Sequence, residues 1–221
     1  MPLDDSAFND TMSYMTTEQI KKRYAFIDVQ NTASTTRKLL GFLIDWQKLG
    51  IYLKSKWKCE KIFFYAGIDE GDEETAREFE LLAKDNYTVR SRTVFSYKKP
   101  NKTISIRCVN CGKENSEVID AGYNRKSNCD VDLTVDAMEE AGPNKEFLIF
   151  TGDGDFDYLI EKIVTKGTKV YVVSSNAGLK KPGISTRRLS TRIKDVIKKH
   201  EQAKIDLINI DSWKVKIRKE T

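Results

Sequence analysis

Histidine is almost missing from this chain, since His200 is the only one among 221 residues. Catalysis by a Ser-His-Asp or Cys-His arrangement, or by zinc held on several histidines, would therefore depend on this one side chain. His200 lies in a lysine-rich run, where a surface position is the simpler interpretation. The shortage of histidine points any chemistry toward carboxylates.

Long apolar runs and a secretory signal are missing as well. No run approaches the roughly 20 apolar residues that a membrane-spanning helix needs. The segment Met1–Thr17 is polar and acidic and lacks the basic start and apolar stretch of a signal peptide. Only four cysteines occur, and without such a signal they are expected to be free thiols in a reducing compartment. We therefore expect a cytoplasmic protein with no membrane contact and a flexible tail over residues 1–20.

Short apolar strands alternate with amphipathic helices along the chain. Strands are predicted at 24–29, 61–66, 88–95, 147–151, 169–173 and 204–210. After a polar loop at 30–36, helices are predicted up to Gly50, from a cap at Asp72, over 130–140, from a cap at Asp155 and over 189–199. Continuously apolar strands in this alternation are typical of a mainly parallel sheet with helices on both faces.

The segment from about 96 to 127 departs from this pattern. It is polar, and it alternates over Thr103–Val109 and Glu117–Ala121, which predicts a hairpin-like insertion. A hydrophobic content of 39% is enough for one good core. We therefore expect one α/β domain over 21–210 that contains this insertion and is followed by a charged tail over 211–221.

Aspartates cluster in sequence around the predicted strand ends. They are Asp28, Asp130, Asp132, Asp136, Asp153 and Asp155. Ligands of open α/β sheets bind at the carboxyl ends of the strands, and carboxylates gathered there favour a hard cation such as Mg²⁺ or Mn²⁺. Each residue also has a simpler structural interpretation. Asp155 is placed to cap a helix, Asp28 to begin a turn, and Asp132 and Asp136 to face solvent on one side of a helix.

Three blocks carry these aspartates in a recurring form. Phe26–Asn31 (FIDVQN) is an apolar strand that ends in Asp, with Asn three residues later. Lys126–Asp136 leads from a lysine to Asp-Val-Asp-Leu-Thr-Val-Asp, and Phe150–Phe156 (FTGDGDF) joins a strand to two aspartates. Together, over about Arg23 to Ser174, they resemble the NYN domain family of the PIN-like nuclease superfamily. The resemblance implies a PIN-like three-layer fold and a metal-dependent ribonuclease.

The resemblance also implies roles for individual residues. The metal-binding carboxylates would be Asp28, Asp130 and Asp153. The supporting residues would be Asp136, Asp155 and Asn31, with Asn31 orienting Asp28 or contacting the scissile phosphate. Asp132 fills a variable position of the motif, and Val29 stands where the family often has glycine.

Positive charge is concentrated late in the chain, although the net charge is only +5. Between Lys180 and Lys199 there are eight basic residues and one acid. The run fits either a solvated surface helix or a phosphate-binding patch. The residues expected to hold an RNA backbone are Lys126, Lys180, Lys181, Arg187, Arg188 and Arg192. Tyr97 or Tyr123 would stack on bases, unless each has only a packing or surface role.

One pair of cysteines has metal-ligand spacing. Cys108-Val-Asn-Cys111-Gly resembles half of a zinc-ribbon knuckle. A structural Zn²⁺ site would need Cys129 as a third ligand and Cys59, an acid or a water as a fourth. The alternative is a pair of free thiols in a surface hairpin.

Three functions remain open at this level. The first is an endoribonuclease, and the second is a catalytically inactive RNA-binding or protein-interaction module that keeps the same fold. The third is a phosphatase or DNA nuclease that uses the same aspartates. A homo-oligomer is compatible with each of them.

Overall fold

The computed structural model describes residues 21–127, 129–181, 184–200 and 204–220. Its strands are β1 (Lys22–Asp28), β2 (Cys59–Ile68), β3 (Thr88–Thr93), β4 (Phe95–Lys98), β5 (Lys102–Arg107), β6 (Glu114–Ile119), β7 (Tyr123–Lys126), β8 (Lys145–Phe150), β9 (Lys169–Ser174), β10 (Gly178–Lys181), β11 (Ile184–Arg187) and β12 (Ile205–Asn209). Its α-helices are α1 (Val29–Leu39), α2 (Trp46–Ser55), α3 (Glu73–Lys84), α4 (Cys129–Glu140), α5 (Asp157–Thr165), α6 (Thr191–Lys199) and α7 (Lys214–Ile217). Short 3₁₀ turns occupy Gly154–Phe156 and Ile210–Trp213.

The centre of the fold is a six-stranded parallel sheet with the order β12-β9-β8-β1-β2-β3. Alternate residues of β1 face opposite sides, as the pleat requires. Ala25 and Ile27 pack with the layer that includes α1, α2, α3 and α7. Tyr24 and Phe26 pack with the layer of α4, α5 and α6. The predicted three-layer α/β fold is confirmed.

Sheet topology brings two distant strand ends together. β1 lies between β8 and β2, and Ile27 is the register partner of Phe150. The residues that follow, Asp28 and Thr151, therefore leave the sheet side by side at its carboxyl edge. This edge is where the topology of a parallel sheet places a ligand site.

Residues 95–126, here called the arm, form the predicted insertion. It consists of two antiparallel hairpins, in which β4 pairs with β7 and β5 pairs with β6. All residues of β5 and β6 are exposed. The expectation of a hairpin-like insertion is confirmed, with one hairpin more than the pattern indicated.

The first helical connection differs from its prediction. The segment expected as a polar loop, Gln30–Thr36, belongs to α1, which starts directly after Asp28. Its threonines Thr32, Thr35 and Thr36 are small enough to pack beneath the helix and are buried. Gly50 does not end a helix but lies inside α2, where a Cβ atom would come within 2.5 Å of the Tyr87 ring. Glycine is needed at this position because the Tyr87 ring packs closely against α2, and not because the chain turns there.

The end of the chain also differs from its prediction. A charged tail was expected over 211–221, but Trp213 and Ile217 are buried in the core. Two apolar side chains four residues apart make one helical turn, which is too short a pattern to stand out among the charges around it. The expected tail over residues 1–20 lies outside the described part of the chain. Within that part, no helix is both long and apolar enough to cross a bilayer.

Candidate active site

Asp28 occupies the junction of β1 and α1 and connects two strands. It is the N-cap of α1, where Oδ1 accepts a hydrogen bond from the backbone N–H of Asn31 at 3.1 Å. Its other oxygen, Oδ2, accepts one from the Thr151 hydroxyl at 3.3 Å. The carboxylate is thus held from both β1 and the end of β8.

Asn31 fixes the loop that follows β8. Its side-chain oxygen accepts a hydrogen bond from the backbone N–H of Gly152 at 2.8 Å. The loop continues with Asp153 N–H donating to Thr151 Oγ1 and Asp155 N–H donating to Asp153 Oδ1, both at 3.1 Å. The side chain of Asn31 therefore positions the third motif, while its backbone positions Asp28. Thr151 was not singled out from the sequence, although it precedes Gly152-Asp153 in the motif.

The electrostatics of Asp28 place two other aspartates nearby. Burial raises the pKa of Asp28 from 3.8 to about 6, against the hydrogen bonds from Asn31 and Thr151. The negative charges of Asp130 and Asp153 raise it further. Asp130 and Asp153 are themselves exposed at the carboxyl edge. Asp130 and Asp153, the two carboxylates predicted to act with Asp28, therefore each lie within electrostatic reach of it.

These carboxylates suit a hard cation by their chemistry. Among the residues that the structure describes, no three Asp, Glu, His or Cys side chains have the spacing of a formed metal site. The donors nevertheless are all oxygens, which Mg²⁺ and Mn²⁺ prefer. A largely buried carboxylate with like charges beside it gains most from a positive ion. Asp28, Asp130 and Asp153 therefore suit such an ion by the chemistry of their oxygens, and not by a spacing already formed.

The other two aspartates of α4, Asp132 and Asp136, are engaged in ion pairs. Asp136 accepts hydrogen bonds from the Tyr65 hydroxyl at 2.9 Å and from Arg90 Nε at 3.2 Å. Asp132 accepts two from the guanidinium of Arg92, at 2.6 and 2.7 Å. Burial and the neighbouring Asp136 raise the pKa of Tyr65. These contacts lock α4 against β2 and β3, and the supporting role of Asp136 stays a prediction.

Asp155 does not cap the helix that follows it. A 3₁₀ turn over Gly154–Phe156 precedes α5, and Asp153 is the N-cap of that turn, whereas the N-cap of α5 is Phe156 and makes no side-chain cap bond. Asp155 is exposed and lies 3.3 Å from Arg192 Nη1. Arg192 Nε also donates to Asp157 Oδ2 at 2.8 Å. The predicted N-cap at Asp155 is wrong, and the residue instead faces the start of α6.

The start of α6 forms a wall of the site that the sequence did not reveal. Ser190 N–H donates to the Gly152 carbonyl at 2.9 Å, and Ser190 is the N-cap of α6. A Cβ atom on Gly154 would lie 2.5 Å from Ser190 Oγ. A Cβ atom on Gly152 would collide with the Arg188 carbonyl. Both glycines are therefore required for close approach, which explains the Gly-Asp-Gly-Asp pattern.

The predicted RNA-contacting residues are only partly described. Arg188 and Arg192 lie at this wall, and Arg188 Nε is buried with no hydrogen-bond partner among the described residues. The remaining four lie on β7, β10 and β11, and their side chains are outside the description; they are Lys126, Lys180, Lys181 and Arg187. The hairpin of β10 and β11 follows the carboxyl end of β9 in the chain. Tyr97 and Tyr123 are exposed on the arm.

The structure does not assemble the predicted three-thiol zinc site. Cys129 is buried, and its Sγ donates to the Ala66 carbonyl at 3.4 Å. Cys59 is buried in the opposite core layer. Cys108 and Cys111 lie together at the exposed turn between β5 and β6. Hydrogen bonds from the backbone of Cys111 and Asn110 and from the Cys111 thiol lower the pKa of Cys108. Cys129 as third ligand is wrong, because the apolar layer under β2 holds it.

Comparisons with known proteins agree with this fold. A model of the NYN domain matches residues 23–189. The Low amplitude and bright protein LabA of Synechococcus elongatus is 25% identical over 154 residues, which is 68% of this chain and 72% of that protein. A protein of unknown function from Vibrio parahaemolyticus has a TM-score of 0.55 at 21% identity, covering 89% of this chain and 98% of its own. The structural likeness shows a shared fold.

Proposed function

Because this chain belongs to the NYN domain family, which has a nuclease-like fold, we propose that it is a metal-dependent ribonuclease acting at Asp28, Asp130 and Asp153. The observation that carries the proposal is the environment of Asp28. Its carboxylate is largely buried, faces two like charges and is held in place by Asn31 and Thr151. Such an arrangement is unfavourable for folding alone, and perturbed carboxylates in this position are typical of functional sites.

The residues around the acids have separate tasks in this proposal. Mg²⁺ or Mn²⁺ held by the three aspartates would supply positive charge against the phosphate and make a water acidic enough to attack it. Asn31 and Thr151 orient the carboxylates through the hydrogen bonds described above. Arg188, with its unsatisfied Nε, and the basic hairpin beside it hold the RNA backbone. Asp155, held by Arg192, supports the wall next to Asp153.

The direct test is cleavage of a labelled single-stranded RNA by the purified chain. We expect cleavage with Mg²⁺ or Mn²⁺, loss of cleavage with EDTA, and slower cleavage of the matched DNA. RNA that is bound with strong salt dependence but stays intact with either ion would contradict the proposal and identify an inactive RNA-binding module. Equal cleavage of DNA would contradict the choice of RNA.

The affinity for Mn²⁺ should depend on pH in a way that reports Asp28. Protons compete with the metal, so affinity should fall about tenfold for each pH unit below the pKa of the displaced proton and stay level above it. Since the pKa of Asp28 is raised to about 6, the break should lie near pH 6. An unperturbed aspartate would place it near 4.

Binding of Mn²⁺ is followed by electron paramagnetic resonance of the free ion, without RNA. The control is Asp211→Asn, which alters an exposed aspartate beyond β12 and should leave the break where it is. Affinity that stays level down to pH 5 would contradict binding of the ion by a carboxyl with the raised pKa of Asp28.

A further inference from the structure

The turn between β5 and β6 has the form of half a metal site. Cys108 and Cys111 are separated by two residues in one tight turn, and Cys111 is exposed while Cys108 is half-buried. The turn is closed by Cys108 N–H donating to the Lys113 carbonyl and Gly112 N–H donating to the Cys108 carbonyl, both at 2.9 Å. Gly112 has a φ of 70°, which favours glycine. A Cys-x-x-Cys-Gly turn of this kind is the spacing with which zinc knuckles supply two of their four ligands.

The chain itself cannot complete this site with sulfur or nitrogen ligands. Its other candidates are Cys59, Cys129 and His200. Both cysteines are buried in the core, and His200 Nε2 is buried at the end of α6. Among the described residues, no Asp, Glu, His or Cys joins Cys108 and Cys111 to make a group of three. A tetrahedral site needs four ligands, so two must come from elsewhere.

Within the described residues, nothing covers the apolar side chains of the hairpin that carries the turn. Ile104, Ile106 and Ile119 share one face of the β5–β6 pair, because Lys102 is the register partner of Ile119 and side chains alternate. All three are exposed, and Val109 at the tip is 99% exposed. A two-stranded hairpin is marginally stable in water unless its apolar face is covered. The same face is available on a second copy of the chain.

We propose that two copies of this chain bind one Zn²⁺ between their arms, through Cys108 and Cys111 of each. The ion replaces the four thiol protons, which are released to solvent, and no electron is transferred. The isoleucine faces of the two outer hairpins then cover each other around the metal. A second copy is the occupant because it brings two thiols in the same turn, the number that the half-site lacks. The assembly is separate from the aspartate site.

The test measures the zinc content and the molecular mass of the protein in the same sample, with a reductant present to prevent disulfides. The chain has a mass of 25.4 kDa. We expect about one zinc per two chains, twice the single-chain mass by light scattering with Zn²⁺, and the single-chain mass after EDTA. Co²⁺ in place of zinc should show the absorption bands of a tetrahedral tetrathiolate. Cys108→Ser and Cys111→Ser should each abolish zinc binding and the mass increase.

Val109→Ser is the matched control, since it alters the same turn and leaves both thiols, and it should still bind zinc. One zinc per single chain, no zinc, or a dimer that persists in both serine variants and in EDTA would each overturn the proposal. The serine variants alter exposed or half-exposed positions, and thermal unfolding checks that they fold. RNA cleavage in Mn²⁺ by the Cys108→Ser variant is a separate readout, so failure of the zinc bridge is distinguishable from failure of the ribonuclease proposal.

Discussion

Asp28→Asn should reduce RNA cleavage about 10²- to 10³-fold, which corresponds to about 3–4 kcal/mol of transition-state stabilisation. The amide keeps the shape of the side chain and remains a good N-cap for α1. It removes the negative charge that would hold the cation beside Asp130 and Asp153. The change therefore tests the role of the negative charge while the helix cap is kept. Cleavage is measured in single-turnover reactions with saturating protein, so that weaker RNA binding does not mimic the loss.

The same substitution should stabilise the metal-free fold at neutral pH. The folded-state pKa of Asp28 is about 6, above its ordinary value of 3.8. Stability associated with this carboxyl is therefore fully present below pH 4 and is lost as pH rises through 6. Asparagine does not ionise, so above pH 6 the variant should exceed the wild-type chain in free energy of unfolding by roughly 1–3 kcal/mol. Below pH 4 the two should be alike.

Urea denaturation in EDTA at pH 4 and pH 8 measures this difference, with Asp211→Asn as the control. Asp211 is exposed beyond β12 and should show neither the gain in stability nor the loss of cleavage. A variant that is less stable than wild type at pH 8 and still cleaves would show that Asp28 is only a helix cap. A gain in stability joined to a loss of cleavage would show that Asp28 is placed for function at the expense of folding.

The parts of the fold that the sequence predicts are those with strong local signals. Continuous apolar runs identified the sheet strands, and the cap at Asp72 was predicted from its own neighbourhood and is confirmed. The proximity of Asp28 to Asp153 follows from one rule, that the carboxyl ends of parallel strands share an edge. The electrostatic reach of Asp130 and Asp153 to Asp28 agrees with that rule.

The parts that were mispredicted depend on contacts distant in sequence. From sequence Gly50 resembles a helix end, but in the fold Tyr87 packs across it. Asp155 resembles the cap of α5, but it lies inside a 3₁₀ turn that Asp153 caps, and α5 begins only after Phe156. Cys129 has the chemistry of a zinc ligand, but α4 directs it into the apolar layer beneath β2. In each case the residue type indicated a possible role, but contacts with residues distant in sequence decided what the residue does in the fold.

The second substitution with a large expected effect is at Gly152, which packs against the segment that begins α6. Gly152→Ala should lower the free energy of unfolding by about 1–3 kcal/mol and reduce cleavage up to about 100-fold. The added methyl would collide with the Arg188 carbonyl and lie 2.9 Å from Ser174 Oγ. Since Gly152 N–H also bonds Asn31, relief of the collision shifts either the α6 start or the loop that carries Asp153.

Gly142→Ala is the matched control for this collision. Gly142 precedes Pro143 in the loop before β8, and a Cβ atom there would meet nothing within 4 Å. The control should leave cleavage unchanged and stability within about 0.5 kcal/mol of the wild-type value. If both variants behave alike, the contact between Gly152 and Arg188 does not shape the site. If only Gly152→Ala loses cleavage, close packing of α6 against the third motif is required to hold Asp153 next to Asp28.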